Sequence, residues 1–103
     1  MRLYGLKNCD TCRKAAKVLG IDVTDIRANP LERKDLERFH TAFGDALLNT
    51  RSTTWRSLGE VERSGDAFDL ILAHPALMKR PVIEAEGKLY LGWKADTQAA
   101  LGV

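Results

Sequence analysis

The chain opens on a short unbroken apolar run, Leu3-Tyr4-Gly5-Leu6, which predicts a buried strand over residues 2–6. The pattern then changes period. Over residues 10–19, Ala15, Ala16, Val18 and Leu19 lie on one side and Arg13, Lys14 and Lys17 on another, as in an amphipathic helix. Asp10 or Thr11 is suited to cap its start, and Gly20 to end it. Ile21, Val23 and Ile26 predict a second strand over 21–27. Strand, helix and strand make a βαβ unit whose crossover is long enough for parallel pairing.

Asn29-Pro30 interrupts the pattern. Residues 31–43 predict a second amphipathic helix with Leu31, Leu36, Phe39 and Phe43 as its apolar stripe, and the mixed stretch 45–65 predicts short helical turns. A further helix is expected over 66–74, through Phe68, Leu70, Ile71 and Leu72, ending at His74-Pro75. After Arg80-Pro81, the runs Val82–Ala85 and Lys88–Leu91 flank Glu86-Gly87 and predict a β-hairpin, with a last helix over 94–101. The order βαβ, helices, ββα is that of an α/β protein. It matches a thioredoxin/glutaredoxin-like mixed sheet carrying a helical insertion at about 31–78, in a single domain over 1–103.

Composition narrows the setting. A chain of 103 residues supports one domain, and 45% apolar residues suffice for a core. Sixteen Lys and Arg against fourteen Asp and Glu leave a net charge of +2, too balanced to argue for direct nucleic-acid binding. No apolar run approaches the ~20 residues that span a membrane. The N-terminus passes straight into a strand with no signal-peptide core, so a cytoplasmic monomer is expected.

The only two cysteines, Cys9 and Cys12, form a Cys-x-x-Cys pair where the first strand meets the first helix. In a cytoplasmic chain such a pair points to redox or metal chemistry more than to a structural staple. A thiolate at a helix start is favoured by the unpaired N–H groups there, which suits Cys9 as an attacking thiol. The alternative is an inert buried cysteine. Cys12, one turn along the same face, is either the sulfur that resolves a mixed disulfide or a bystander. A zinc site needs four ligands, and His40 and His74 lack the spacing to complete one, so no metal is expected.

Tyr4-Gly5-Leu6-Lys7-Asn8-Cys9-Asp10-Thr11-Cys12-Arg13-Lys14-Ala15 resembles the opening of the glutaredoxin-type arsenate reductase (ArsC) family, which includes the Spx regulators and small YffB-type proteins. Leu47-Leu48-Asn49-Thr50-Arg51 resembles its second motif, His74-Pro75-Ala76-Leu77-Met78-Lys79-Arg80-Pro81-Val82 its third, and Gly92-Trp93-Lys94 its close. The resemblance implies that Cys9 is the nucleophile, that Arg51 and Arg80 hold an oxyanion beside it, and that Pro81 follows a cis bond. It also implies glutathione as co-substrate, with glutaredoxin as a further partner, and a cysteine–arsenate adduct in arsenate-reducing members. Those members usually carry serine where this chain has Cys12. They place a third arginine near Trp93-Lys94, where this chain offers Lys94.

Arg13, Lys7, Arg51 and Arg80 are the cations able to lower Cys9, and a guanidinium also suits the carboxylates of glutathione or an oxyanion. Asn8 and Thr11 are placed to hydrogen-bond a reacting oxyanion or sulfur, or else act as plain turn and capping residues. Trp55 and Trp93 read as packing residues. Two functions are therefore expected in competition. One is a glutathione-dependent thiol reductase acting on arsenate or a disulfide. The other is an Spx-like redox regulator that binds RNA polymerase, against which stands the lack of a basic tail after the last helix.

Overall fold

Four strands form one mixed sheet in the order β2-β1-β3-β4. The computed structural model describes residues 1–103. Strand β1 (Arg2–Gly5) pairs parallel with β2 (Val23–Asp25) and antiparallel with β3 (Val82–Ala85), which pairs antiparallel with β4 (Lys88–Leu91). Central β1 is covered on both faces, which is why it reads as a continuous apolar run rather than an alternation. The chain divides into two compact units. Met1–Asn29 with Arg80–Val103 holds the sheet, helix α1 (Asp10–Leu19) and a C-terminal helix, whereas Pro30–Lys79 is helical.

In the sheet unit, Leu3, Cys12, Ala15, Ala16 and Ile83 form the core, flanked by Cys9, Leu19, Ile21, Val23, Tyr90, Trp93 and Leu101. The buried stripe of α1 is thus Cys12, Ala15, Ala16 and Leu19, and not the side that includes Val18, which is 57% exposed. Neither Asp10 nor Thr11 caps this helix. Cys9 itself occupies the cap, in extended conformation (φ −94°, ψ 117°), and Asp10 pairs instead with Arg13 at the surface. At the other end Gly20 is left-handed (φ 69°). Its N–H reaches Lys17 O, and the Ile21 N–H reaches Ala16 O at 3.0 Å, closing a Schellman motif. Ile21 is therefore spent on the helix end. Asp25 turns the chain immediately after β2, so the strand is shorter than the 21–27 its apolar residues suggest.

In the helical unit, α2 (Arg33–Phe43) starts two residues late because Glu32 and Asp35 form a capping box there. Leu31 and Leu36 sit at the two positions of a hydrophobic staple, and both are buried. A 3₁₀ turn (Gly44–Leu47), α3 (Thr53–Ser57) and α4 (Glu60–Arg63) are the short turns expected over 45–65, followed by α5 (Ala67–Ala73). Arg63 donates to the carbonyls of Trp55 (3.1 Å) and Arg56 (3.0 Å), closing the end of α3. Asn49 N–H to Leu77 O (2.7 Å) and Lys79 N–H to Leu47 O (2.8 Å) tie the second motif to the third. The last helix, α6, spans Ala95–Ala100.

Candidate active site

Cys9 is placed by the turn that links β1 to α1. Its N–H bonds to Leu6 O at 3.1 Å, and its carbonyl accepts the Arg13 N–H at 3.0 Å as the first helical bond. The Lys7 N–H is held by Asp25 Oδ2 at 2.9 Å. Cys9 is half-buried, while Cys12 is fully buried in the sheet-unit core, and both are free thiols. Cys12 fits under the sheet because β1 carries glycine at position 5, where a Cβ would overlap the Cys12 sulfur. Continuing the β1–β3 register from Tyr4↔Val82 carries Arg80 alongside Leu6, at the mouth of the cysteine turn.

The two thiols differ sharply in acidity. Burial pushes Cys9 up, but this is outweighed by the Cys12 N–H, the Cys12 thiol and the Arg80 guanidinium, which bring it below the ordinary cysteine value. The sulfur closes no full capping bond, yet these donors all favour its anion. Burial likewise pushes Cys12 up. The Leu6 N–H acts against this, but the Cys9 sulfur beside it favours the proton, and Cys12 is pushed up to about 11. Of the pair, Cys9 is therefore the more readily ionised sulfur, and Cys12 keeps its proton and donates to it.

Cys9, Cys12, Arg80 and Pro81 are brought together in the sheet unit, and the Arg80–Pro81 peptide is cis. The Pro81 carbonyl accepts the Gly92 N–H at 2.8 Å. Asn8 and Thr11 are exposed on either side of the cap, as the residue before Cys9 and the second residue of α1. Lys94 is exposed at the N-cap of α6. Arg51 belongs to the helical unit. It is exposed on the turn before α3, with its N–H on Asn49 Oδ1 at 3.2 Å. Of the expected cations of the sheet unit, Arg13 is turned to Asp10, and Arg80 is the one that acts on Cys9.

Sequence reasoning missed Gly5, Leu6 and Asp25 as site residues. A glycine inside an apolar strand run is the available signal for a close approach of another chain segment, and Gly5 carries it. Nothing in the pattern distinguishes Asp25 from other surface carboxylates.

Cysteine at a helix cap, a buried partner thiol and an arginine just before the antiparallel strand β3, all on a thioredoxin-like mixed sheet, define a class of thiol protein. The chain matches the ArsC family over residues 4–101 and belongs to it. It resembles the solved structure of a protein called YffB, with 37% identity, a TM-score of 0.85 and 95% of each chain covered. A Haemophilus influenzae protein, described as uncharacterized, is 41% identical over 109 residues, covering 95% of this chain and 96% of its own. The global transcriptional regulator Spx of Bacillus subtilis is 31% identical over 105 residues, covering 91% of this chain and 80% of the regulator. No helix is long and apolar enough to cross a membrane.

Proposed function

We propose that this chain is a glutathione-dependent thiol oxidoreductase in which the Cys9 thiolate attacks arsenate or a disulfide. The unequal acidity of the cysteine pair, with the Arg80 guanidinium beside the more acidic sulfur, carries this reading. With arsenate, the thiolate bonds to arsenic and an arsenate oxygen leaves as water. A glutathione thiolate then takes the sulfur as a Cys9–glutathione disulfide, and arsenic departs two electrons richer as arsenite. With a disulfide, the thiolate forms a mixed disulfide and one half leaves as a thiol; a glutathione thiolate then attacks the Cys9 sulfur, the other half leaves as a thiol, and a Cys9–glutathione disulfide remains. In both cases a second glutathione restores Cys9 and departs as oxidised glutathione. Arg80 neutralises the oxyanion or a glutathione carboxylate during attack. A cytoplasmic setting, where glutathione keeps thiols reduced, suits this chemistry.

The test is NADPH consumption by the purified protein with glutathione and glutathione reductase, with arsenate and a small disulfide supplied in turn. Turnover with either supports the oxidoreductase. The 31% identity to Spx favours a second reading, a regulator whose Cys9–Cys12 pair is a redox switch. Capture of RNA polymerase without turnover would establish that reading instead.

Cys12 is buried and protonated, which suits it to donate to Cys9 and not to attack a mixed disulfide at neutral pH. Cys12→Ser, which keeps a donor, is expected to retain most glutathione-dependent turnover. Cys12→Ala removes the donor, so the Cys9 midpoint rises. Its turnover falls by about threefold to tenfold at neutral pH and recovers as pH passes the new midpoint. The pH profile of Cys9 alkylation measures this directly. Loss of all turnover in Cys12→Ser would show a dithiol cycle instead.

A further inference from the structure

The carboxylate of Asp25 accepts three backbone N–H groups. Oδ1 takes those of Arg27 (2.8 Å) and Ala28 (3.2 Å), and Oδ2 takes that of Lys7 (2.9 Å). The first two bonds are local and make the turn that ends β2, a task any short acceptor side chain performs. The third is not local, because it joins the end of β2 to a residue 18 positions earlier, on the turn that delivers Cys9. The same turn is closed by the Cys9 N–H on Leu6 O, and the Leu6 N–H faces the Cys12 sulfur. Main-chain bonding supports the junction, with the Ile26 N–H on Gly5 O at 2.9 Å and the Asn29 N–H on Asp25 O at 2.8 Å.

We propose that Asp25 is a positioning residue for the thiol pair, whose second carboxylate oxygen tethers the Lys7 turn and so fixes Cys9 at the helix cap. Two oxygens are needed, one for the local turn and one for the tether, and this accounts for aspartate in preference to asparagine or serine. Asp25 touches neither sulfur, and its negative charge taken alone opposes a thiolate. Tether and charge therefore act on Cys9 with opposite sign, which makes the role separable by experiment. The inference rests on Cys9 as the attacking thiol but not on any substrate.

In the wild-type protein the Lys7 amide is expected to exchange with solvent at least tenfold more slowly than in an unstructured peptide. An unprotected Lys7 amide overturns the tether. Asp25→Asn keeps one carbonyl for the local turn and turns an amide donor toward the Lys7 donor. The Cys9 midpoint, read from thiolate absorbance against pH, is expected to rise by about half to one unit. That is a threefold to tenfold loss of thiolate below the midpoint. Asp22→Asn, which removes a nearby exposed carboxylate without touching the turn, is expected to leave the midpoint unchanged or slightly lower. An unchanged or lowered midpoint in folded Asp25→Asn with an unprotected Lys7 amide overturns the proposal. Where the asparagine carbonyl keeps Lys7 protected, Asp25→Ala, which has no acceptor, is judged by the same criterion. The wild-type exchange result stands whether or not either variant folds. Because no readout uses turnover, failure of the reductase assay with a protected Lys7 and a shifted midpoint would count against the substrate and not the tether.

Discussion

Arg80→Ala is expected to lower kcat/KM by about a hundredfold, the usual consequence of removing a fixed donor from a site of developing negative charge. Two losses combine. Arg80 is among the groups that bring Cys9 below its ordinary acidity, so its removal raises the Cys9 midpoint and reduces the thiolate fraction at neutral pH. It also removes the guanidinium that meets an incoming oxyanion or carboxylate, a charge-assisted contact worth about 1.5–3 kcal/mol. The two are separable by pH. Above the new Cys9 midpoint the thiolate is restored in full, and the ionisation part of the loss disappears. The binding part remains and appears in KM. Arg80→Lys keeps the charge but not the two-pronged geometry, so it is expected to fall between the two. A pH–rate profile for Arg80→Ala that superimposes on the wild type would remove this residue from the site.

How the site reads in the sequence depends on which force places each residue. The βαβ unit and the hairpin were legible because backbone periodicity and turn chemistry set them locally. Boundaries failed where a side chain or a cap overrode the apolar pattern. Ile21 looks like strand but is consumed by the left-handed Gly20 closure, and Ile26 lies within the turn that Asp25 makes. Cysteine is not among the usual capping residues, so Asp10 and Thr11 drew the assignment although Cys9 holds the cap. The Cys-x-x-Cys spacing located the pair and the helix start marked Cys9 as the attacking thiol, but the contrast in acidity between the two sulfurs was not legible. That contrast comes from burial of Cys12 in the core and from the Arg80 cation just before β3, some seventy positions away in the chain. By spacing alone Lys7, Arg13, Arg51 and Arg80 were not told apart as cations for Cys9, and the family resemblance singled out Arg51 and Arg80. Within the sheet unit, the antiparallel register that brings Arg80 beside Leu6 and the surface pair of Arg13 with Asp10 separate the two arginines physically.

Gly5→Ala tests the other contact that spacing could not show. A methyl at position 5 would overlap the Cys12 sulfur, and it would also stand 3.2 Å from the Cys12 Cβ and 3.5 Å from Leu3 Cδ2. None of these is the free end of a flexible surface side chain. Cys12 is enclosed by Leu3, Ala15, Ala16 and Ile83, and β1 is bonded to strands on both sides, so neither partner has room to yield. Overpacking of this kind costs about 1–3 kcal/mol, read as a lower midpoint of chemical unfolding. Displacing the Cys12 thiol also takes a donor from Cys9, so the Cys9 midpoint should rise in the same variant. The two effects share one cause, and a double substitution reveals it. Adding Cys12→Ala to Gly5→Ala deletes the overlapping sulfur, so part of the lost stability should return, with the 3.2 Å crowding of the Cβ limiting the recovery. Coupling between the two sites is the expected sign of direct contact, whereas strictly additive losses would mean that glycine at position 5 serves the strand alone.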